Sequence, residues 1–240
     1  MSGAHVGNDV KAKVCGLRRW QHGATALRCG ADYFGLVFAG RVRQVTPECA
    51  RELVLHLGPM QAVGVFVDAG SERIRRHRDI ADFPIVQLHG SEPPEMCRAL
   101  KQDGLDVWKA VRPTSRRELA RHWNTYAPVV DAILVEGFSP RAPGGTGTAI
   151  EYDWLDEVDR SACPLVLAGG LNAGNVGDAI RAVRPDIVDV SSGVERAPGE
   201  KSRELIFDFL AAVRDAPPAP LMPPVELSFE EWDGGGRVGA

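Results

Sequence analysis

The chain repeats one unit eight times, a short β-branched apolar run followed by a stretch of helical character. The runs are residues 11–15, 33–38, 62–67, 85–89, 106–111, 132–135, 165–168 and 187–190. Short runs of this kind suit parallel strands covered by helices. Eight of them alternating with helices close into a single (β/α)8 TIM barrel, and 240 residues are enough for one such barrel and its core. The structural rival is a doubly wound sheet, which needs no eighth unit and favours Gly-x-Gly-x-x-Gly after its first strand. Here the first strand runs into Cys15-Gly16-Leu17 instead.

Several helix ends are readable. Thr46 is a natural N-cap before Pro47, and Cys49, Ala50, Leu53, Val54 and Leu57 form one apolar face that Gly58 closes. Ser115 to Glu118 has a capping-box pattern, and Asn172 is the expected cap of a helix with Val176, Ala179, Ile180 and Val183 on its apolar face. A short helix is expected at 151–158 and the last at about 200–214. Arg73, Arg75, Arg76 and Arg78 read as a solvated outer face.

Residues 1–10 read as a flexible leader, 11–215 as the barrel, and 216–240 as a Pro/Gly-rich C-terminal extension, disordered or docked on the surface through Val225, Leu227, Phe229 and Trp232. A net charge of −4 suggests no general affinity for nucleic acid or an anionic membrane. The five cysteines are widely spaced and form no C-x-x-C pair, so neither a disulfide framework nor a zinc site is indicated. The N-terminus has no apolar signal core and no run reaches membrane-spanning length. The expectation is a cytoplasmic protein with no metal, nucleic-acid or membrane partner, present as a monomer or homodimer.

In this fold the chemistry sits at the C-terminal ends of the strands. Cys15 ends the first strand and Glu136 the sixth, a candidate base or nucleophile and a candidate general acid. Gln87 and His89 share one side of strand four, as polar barrel lining or as ligands, and Asp189 lies on strand eight. Arg43 and Arg112 enter strand-end loops and suit an anionic substrate. Gly169-Gly170 and Ser191-Ser192-Gly193 follow strands seven and eight, where backbone N–H groups commonly bind phosphate. A long loop, 136–149, carries Pro143-Gly144-Gly145-Thr146-Gly147.

Blocks in a fixed order then carry a resemblance. They are Lys-Val-Cys-Gly-Leu at 13–17, Arg-Gln-Val-Thr-Pro-Glu at 43–48, Val-Gly-Val-Phe-Val at 63–67, Val-Gln-Leu-His-Gly at 86–90 and Lys-Ala-Val-Arg at 109–112. Pro-Gly-Gly-Thr-Gly at 143–147, Leu-Ala-Gly-Gly-Leu-Asn at 167–172 and Val-Asp-Val-Ser-Ser-Gly-Val-Glu at 188–195 complete the set. Over about residues 11–214 the chain resembles phosphoribosylanthranilate isomerase. The resemblance implies an Amadori rearrangement in tryptophan biosynthesis, without metal or redox cofactor. It implies Cys15 as the base, Arg43 facing the anthranilate carboxylate and Asp189 near the sugar or amine; Gln87, His89 and Arg112 are expected, from their positions, to face the substrate. Gly145, Gly169, Gly170, Ser192 and Gly193 would hold the phosphate. The family's acid is an aspartate where this chain has Glu136, and Arg18 to His22 stand where an acidic residue is usual. Two alternatives follow: an isomerase of another aminoaldose phosphate, or a non-catalytic sugar-phosphate-binding barrel.

Overall fold

The structure is a computed structural model that describes residues 9–137 and 152–217. The leader up to residue 8, most of the 136–149 loop with Gly145, and the tail beyond 217 lie outside the described residues. The strands are β1 (Lys11–Cys15), β2 (Tyr33–Val37), β3 (Ala62–Phe66), β4 (Ile85–Leu88), β5 (Asp106–Val111), β6 (Ala132–Glu136), β7 (Leu165–Ala168) and β8 (Ile187–Val190). They pair in sequence order, all parallel, and β8 closes on β1 through the register Lys13↔Asp189. Outside them lie α1 (Trp20–Arg28), α2 (Pro47–Leu57), α3 (Ser71–Ala81), α4 (Pro94–Gln102), α5 (Arg116–Tyr126), α6 (Val176–Val183) and α7 (Arg203–Arg214). Between β6 and β7 the described covering element is a 3₁₀ turn, Tyr152–Glu157.

Side-chain parity divides the molecule into two cores. Val63, Val65, Ile85, Trp108, Ala110, Leu134, Val166, Ala168 and Ile187 fill the barrel with Cys15, and Tyr33 meets Trp108 edge-on at 5.1 Å. The opposite faces, with Val14, Phe34, Phe66, Val86, Leu88, Ile133 and Val188, pack against the helices. The barrel is thus filled with side chains, with polar groups on inward positions at both ends, Lys11 and Asp106 at the N-terminal one and Gln87, Glu136 and Asp189 at the C-terminal mouth.

Aspartates fasten neighbouring strands at the opposite end. Asp32 donates its N–H to the Ala12 carbonyl at 2.8 Å while its carboxylate accepts from the Ala12 N–H at 2.8 Å. Asp131 grips Val107 and Asp186 grips Leu165 in the same two-point way. The matching position before β4 is Pro84, which has no N–H to donate.

The caps of α2 and α7 are local. Thr46 Oγ1 accepts from Cys49 N at 3.2 Å with Pro47 in the first helical turn, and Ser202 Oγ accepts from Leu205 N at 3.3 Å. Three expectations need correction. Cys49 is exposed, because the α2 face buries Ala50, Leu53 and Val54. Asn172 does not cap α6: it forms a turn onto Gly174 N at 2.8 Å, while Asn175 occupies the cap position and bonds the Gly170 carbonyl at 2.9 Å. Ser115 caps α5, but Glu118 reaches back to Thr114 instead of completing a box with Ser115. The chain between β8 and α7 also makes an antiparallel hairpin, β9 (Glu195–Ala197) and β10 (Glu200–Lys201), that delays the last helix to Arg203.

Gly64 on β3 faces the Phe83 ring, and a Cβ there would lie 2.8 Å from its nearest atom. Gly64→Ala should therefore destabilise the fold by about 1–3 kcal/mol through overpacking, read as a lower midpoint in urea with an unchanged slope.

Candidate active site

The C-terminal mouth holds a cavity of about 480 Å³ lined by Cys15, Arg43, Gln87, His89, Arg112, Glu136, Gly169, Gly170, Asp189 and Ser192. Strand parity explains the convergence. Cys15, Gln87, Glu136 and Asp189 occupy inward positions near the C-terminal ends of β1, β4, β6 and β8, and His89 and Arg112 follow β4 and β5 with the same parity.

Glu136 sits in a hydrogen-bonded chain. His89 Nε2 is 3.0 Å from its Oε2, and Arg112 Nε donates to the same oxygen. Gln87 Nε2 is 2.8 Å from His89 Nδ1, so the side chain of Gln87 holds the ring from the side away from Glu136. The hydrogen bond from His89 draws the Glu136 carboxyl down to about 2 against burial, and Arg112 adds to the effect. His89 and Arg112 therefore bond Glu136 and Gln87 bonds His89, with all three on the cavity wall. Gln87 Oε1 is buried and has no partner among the described residues. The loop that carries His89 is braced from behind: Lys109 donates to the Gly90 carbonyl at 2.6 Å and to Glu92 at 3.0 Å, and Glu92 accepts from Gly90 N and Asp68 N.

Cys15 lies 8% exposed at the end of β1. Gly35 makes room for it, since a Cβ there would stand 2.6 Å from Sγ. Burial pushes the thiol up, as it pushes Cys97 and Cys163 to about 11. Cys15 differs from those two in its cations: Lys13 and Lys201 pull its pKa down, while Asp189 opposes them. Lys13 is fully buried and 2.9 Å from Asp189, its register partner on β8. Burial pulls the Lys13 ammonium down, but Asp189 and the thiol outweigh that and hold it above its ordinary value. Asp189 Oδ1 is buried without a partner among the described residues and belongs to a side chain on the cavity wall.

Arg43 lines the cavity with Nε and Nη2 each 2.7 Å from Glu195, so two of its N–H groups are engaged within the protein. Gly16 lets it lie there: its φ is +80°, and a Cβ would meet Arg43 Cδ at 2.7 Å. Gly169 and Gly170 take φ of 96° and 68°, which favour glycine. Gly193 is where the loops after β7 and β8 touch, because a Cβ there would fall 1.9 Å from the Leu171 carbonyl oxygen. The two small-residue loops thus form one wall. Lys13, Gly35, Glu195 and Lys201 were not singled out in the sequence. Lys13 had a signal: a charge in an apolar strand, on the same parity as Cys15.

The family model described as N-(5'phosphoribosyl)anthranilate (PRA) isomerase matches residues 12–212. A relative from Rhodopseudomonas palustris named N-(5'-phosphoribosyl)anthranilate isomerase is 42% identical over 212 residues, covering 86% of this chain and 96% of its own. Among solved structures, monomers generated from a dimeric phosphoribosylanthranilate isomerase of Thermotoga maritima align with a TM-score of 0.74 at 35% identity, covering 85% of this chain and 98% of that one. A phosphoribosylanthranilate isomerase in complex with reduced 1-(o-carboxyphenylamino)-1-deoxyribulose 5-phosphate aligns at 0.72 and 34% identity over the same shares. Among the described residues, no helix is long and apolar enough to cross a membrane, and no three His, Cys, Asp or Glu side chains are grouped to hold a metal.

The depressed Glu136 carboxyl has a measurable consequence. A carboxylate lowered by folding adds stability that is present above its unfolded pKa and is lost as pH falls through the folded value. Between about pH 4.3 and about 2, wild-type stability should rise with pH. Glu136→Gln should take up about one proton fewer on unfolding over that interval, read from thermal melts at stepped pH.

Proposed function

Because this chain belongs to the phosphoribosylanthranilate isomerase family, we propose that it carries out the Amadori rearrangement of N-(5-phosphoribosyl)anthranilate in tryptophan biosynthesis, with Cys15 as base and Glu136 as acid. The observation that carries the residue assignment is that a thiol and a carboxyl group line one cavity beside a glycine-built wall. Glu136 gives its proton to the furanose ring oxygen, and the C1–O bond breaks to leave a protonated Schiff base between C1 and the anthranilate nitrogen. Cys15 thiolate removes the C2 proton, and the electron pair moves through C1 to nitrogen to give the enolamine. Protonation of that species at C1, with loss of the C2 hydroxyl proton, yields 1-(2-carboxyphenylamino)-1-deoxyribulose 5-phosphate. Gly169, Gly170, Ser192 and Gly193 would hold the phosphate, Arg43 would turn its remaining donors to the anthranilate carboxylate, and the orphaned Asp189 Oδ1 would take a sugar hydroxyl or the amine. The reading includes a small sugar-phosphate substrate, no nucleic-acid or membrane partner, a cytoplasmic location and a monomer or homodimer.

The resting groups hold the opposite protonation: Glu136 is a carboxylate and Cys15 a thiol. The working pair, carboxylic acid and thiolate, contains the same number of protons. One proton passed from Cys15 to Glu136 interconverts the two forms, so the working fraction does not depend on pH between the two titrations. Glu136 itself favours a second reading, because one extra methylene moves the acid by about 1 Å, a displacement that can cost on the order of 10²-fold. In that reading the chemistry is kept but the preferred substrate is another aminoaldose phosphate.

Turnover of freshly generated phosphoribosylanthranilate, followed by loss of anthranilate-type fluorescence, tests both readings. Cys15→Ser should lose about 10²–10⁴-fold in kcat while remaining folded; near-wild-type turnover would remove Cys15 as base. Glu136→Asp should lower turnover if the glutamate is adapted to this substrate, and a gain would favour the second reading. The kcat/KM profile should be flat from about pH 5 to about pH 8 and fall on the alkaline side, as the thiol proton is lost. An acid limb near neutrality would contradict this proton inventory.

A further inference from the structure

The hairpin after β8 brings a second ion pair to Cys15. Lys201, on β10, has a side chain 1% exposed, and its partner Glu195, on β9, is 4% exposed. Lys201 Nζ donates to Glu195 Oε1 at 2.8 Å and to the Ser191 carbonyl at 2.9 Å, with Ser191 Oγ at 3.4 Å. Ser191 Oγ in turn donates to the Cys15 carbonyl at 3.2 Å. Glu195 takes both bonds from Arg43. One connected series therefore runs from Arg43 through Glu195, Lys201 and Ser191 to the backbone of Cys15.

The charges along this series do not cancel. The charges of this series and of the neighbouring Lys13 pair are Lys13 on β1, Lys201 on β10 and Arg43 before α2 against Asp189 on β8 and Glu195 on β9, while across the cavity Glu136 of β6 is paired with Arg112 and lies beside His89. Lys13, Lys201 and Arg43 against Asp189 and Glu195 leave one positive charge in excess. Lys201 and Arg43 share the single carboxylate of Glu195, so that group balances one of the two cations and not both. We propose that Lys201 is a positioning residue for the isomerisation: through Ser191 it fixes the end of β1, through Glu195 it fixes Arg43, and its ammonium is the excess positive charge that the Cys15 thiolate neutralises. Lys201 is among the groups that draw the thiol pKa down, even though burial lowers its own. This inference rests on the reading of Cys15 as base.

The test is the pH dependence of Cys15 alkylation by iodoacetamide, read on the Cys15 peptide by mass so that exposed Cys49 does not interfere, beside kcat and KM. Lys201→Met should move the alkylation midpoint up by about one pH unit and lower kcat. Glu195→Gln should move it down, because two cations lose their counter-charge, and should raise KM as Arg43 is released. The double variant restores the charge sum, and its midpoint should return toward wild type. A tie that is only structural predicts no opposed movement. Midpoints unchanged, or moved in the same direction by both single variants, would overturn the proposal. If Lys201→Met does not fold, Glu195→Gln decides alone, since the absence of a downward shift overturns it. Retained turnover in Cys15→Ser would sink the base assignment while leaving these shifts in place, so the two failures are distinguishable.

Discussion

The buried contact between Lys13 and Asp189 lies on the seam where the barrel closes and bears on the electrostatics of its mouth. It joins the first strand to the last at the seam where the sheet meets itself, 2.9 Å from nitrogen to oxygen. Two charges withdrawn from water cost free energy, which their attraction offsets only when the geometry is good and the remaining polar atoms find partners. Here one carboxylate oxygen has no partner among the described residues. The pair is therefore incomplete as a structural device and complete only with a donor from the cavity side. Removing either member would strand the other and would change the field at Cys15.

The two sides of the mouth use charge differently. Around Cys15 the cations exceed the anions and favour a thiolate. Around Glu136, His89 and Arg112 converge on one oxygen and favour a carboxylate. Burial nonetheless keeps Cys15 a thiol while these donors keep Glu136 a carboxylate, and the proposed reaction asks the proton to sit on Glu136 instead. A substrate that displaces Arg112, the more exposed donor, would shift that balance toward the acid.

What could be read from the sequence followed from how local each determinant is. The strands were legible because a parallel strand covered by helices needs an unbroken apolar run, and Thr46-Pro47 announced α2 because a cap is satisfied within one turn. Cys15, Glu136 and the Gly169-Gly170 wall were legible because the fold assigns strand ends to the cavity. The hairpin was not: β9 and β10 have three and two residues, too short for a periodic signal, and Glu195 and Lys201 look solvated until pairing buries them. Asn172 failed as a cap because its side chain found a nearer backbone N–H in Gly174. The partner of His89 and of Arg112 is Glu136, 47 and 24 positions away, which no local rule connects.

The aspartate grips at the far end of the barrel bear on how the chain divides. Each grip joins an odd strand to the even strand after it: β1 to β2 through Asp32, β5 to β6 through Asp131, and β7 to β8 through Asp186. None spans the step from an even strand to the next odd one. Three of the four odd–even pairs are therefore gripped couplets, with β3–β4 the exception at Pro84, and the divisions that leave every grip whole include α2, α4 and the segment between β6 and β7. A polypeptide reconnected head to tail and reopened at one of those divisions would keep every grip within an unbroken stretch of chain, whereas an opening at α1 or α5 would cut between gripped partners. Where the grips occur, the barrel is thus joined two strands at a time.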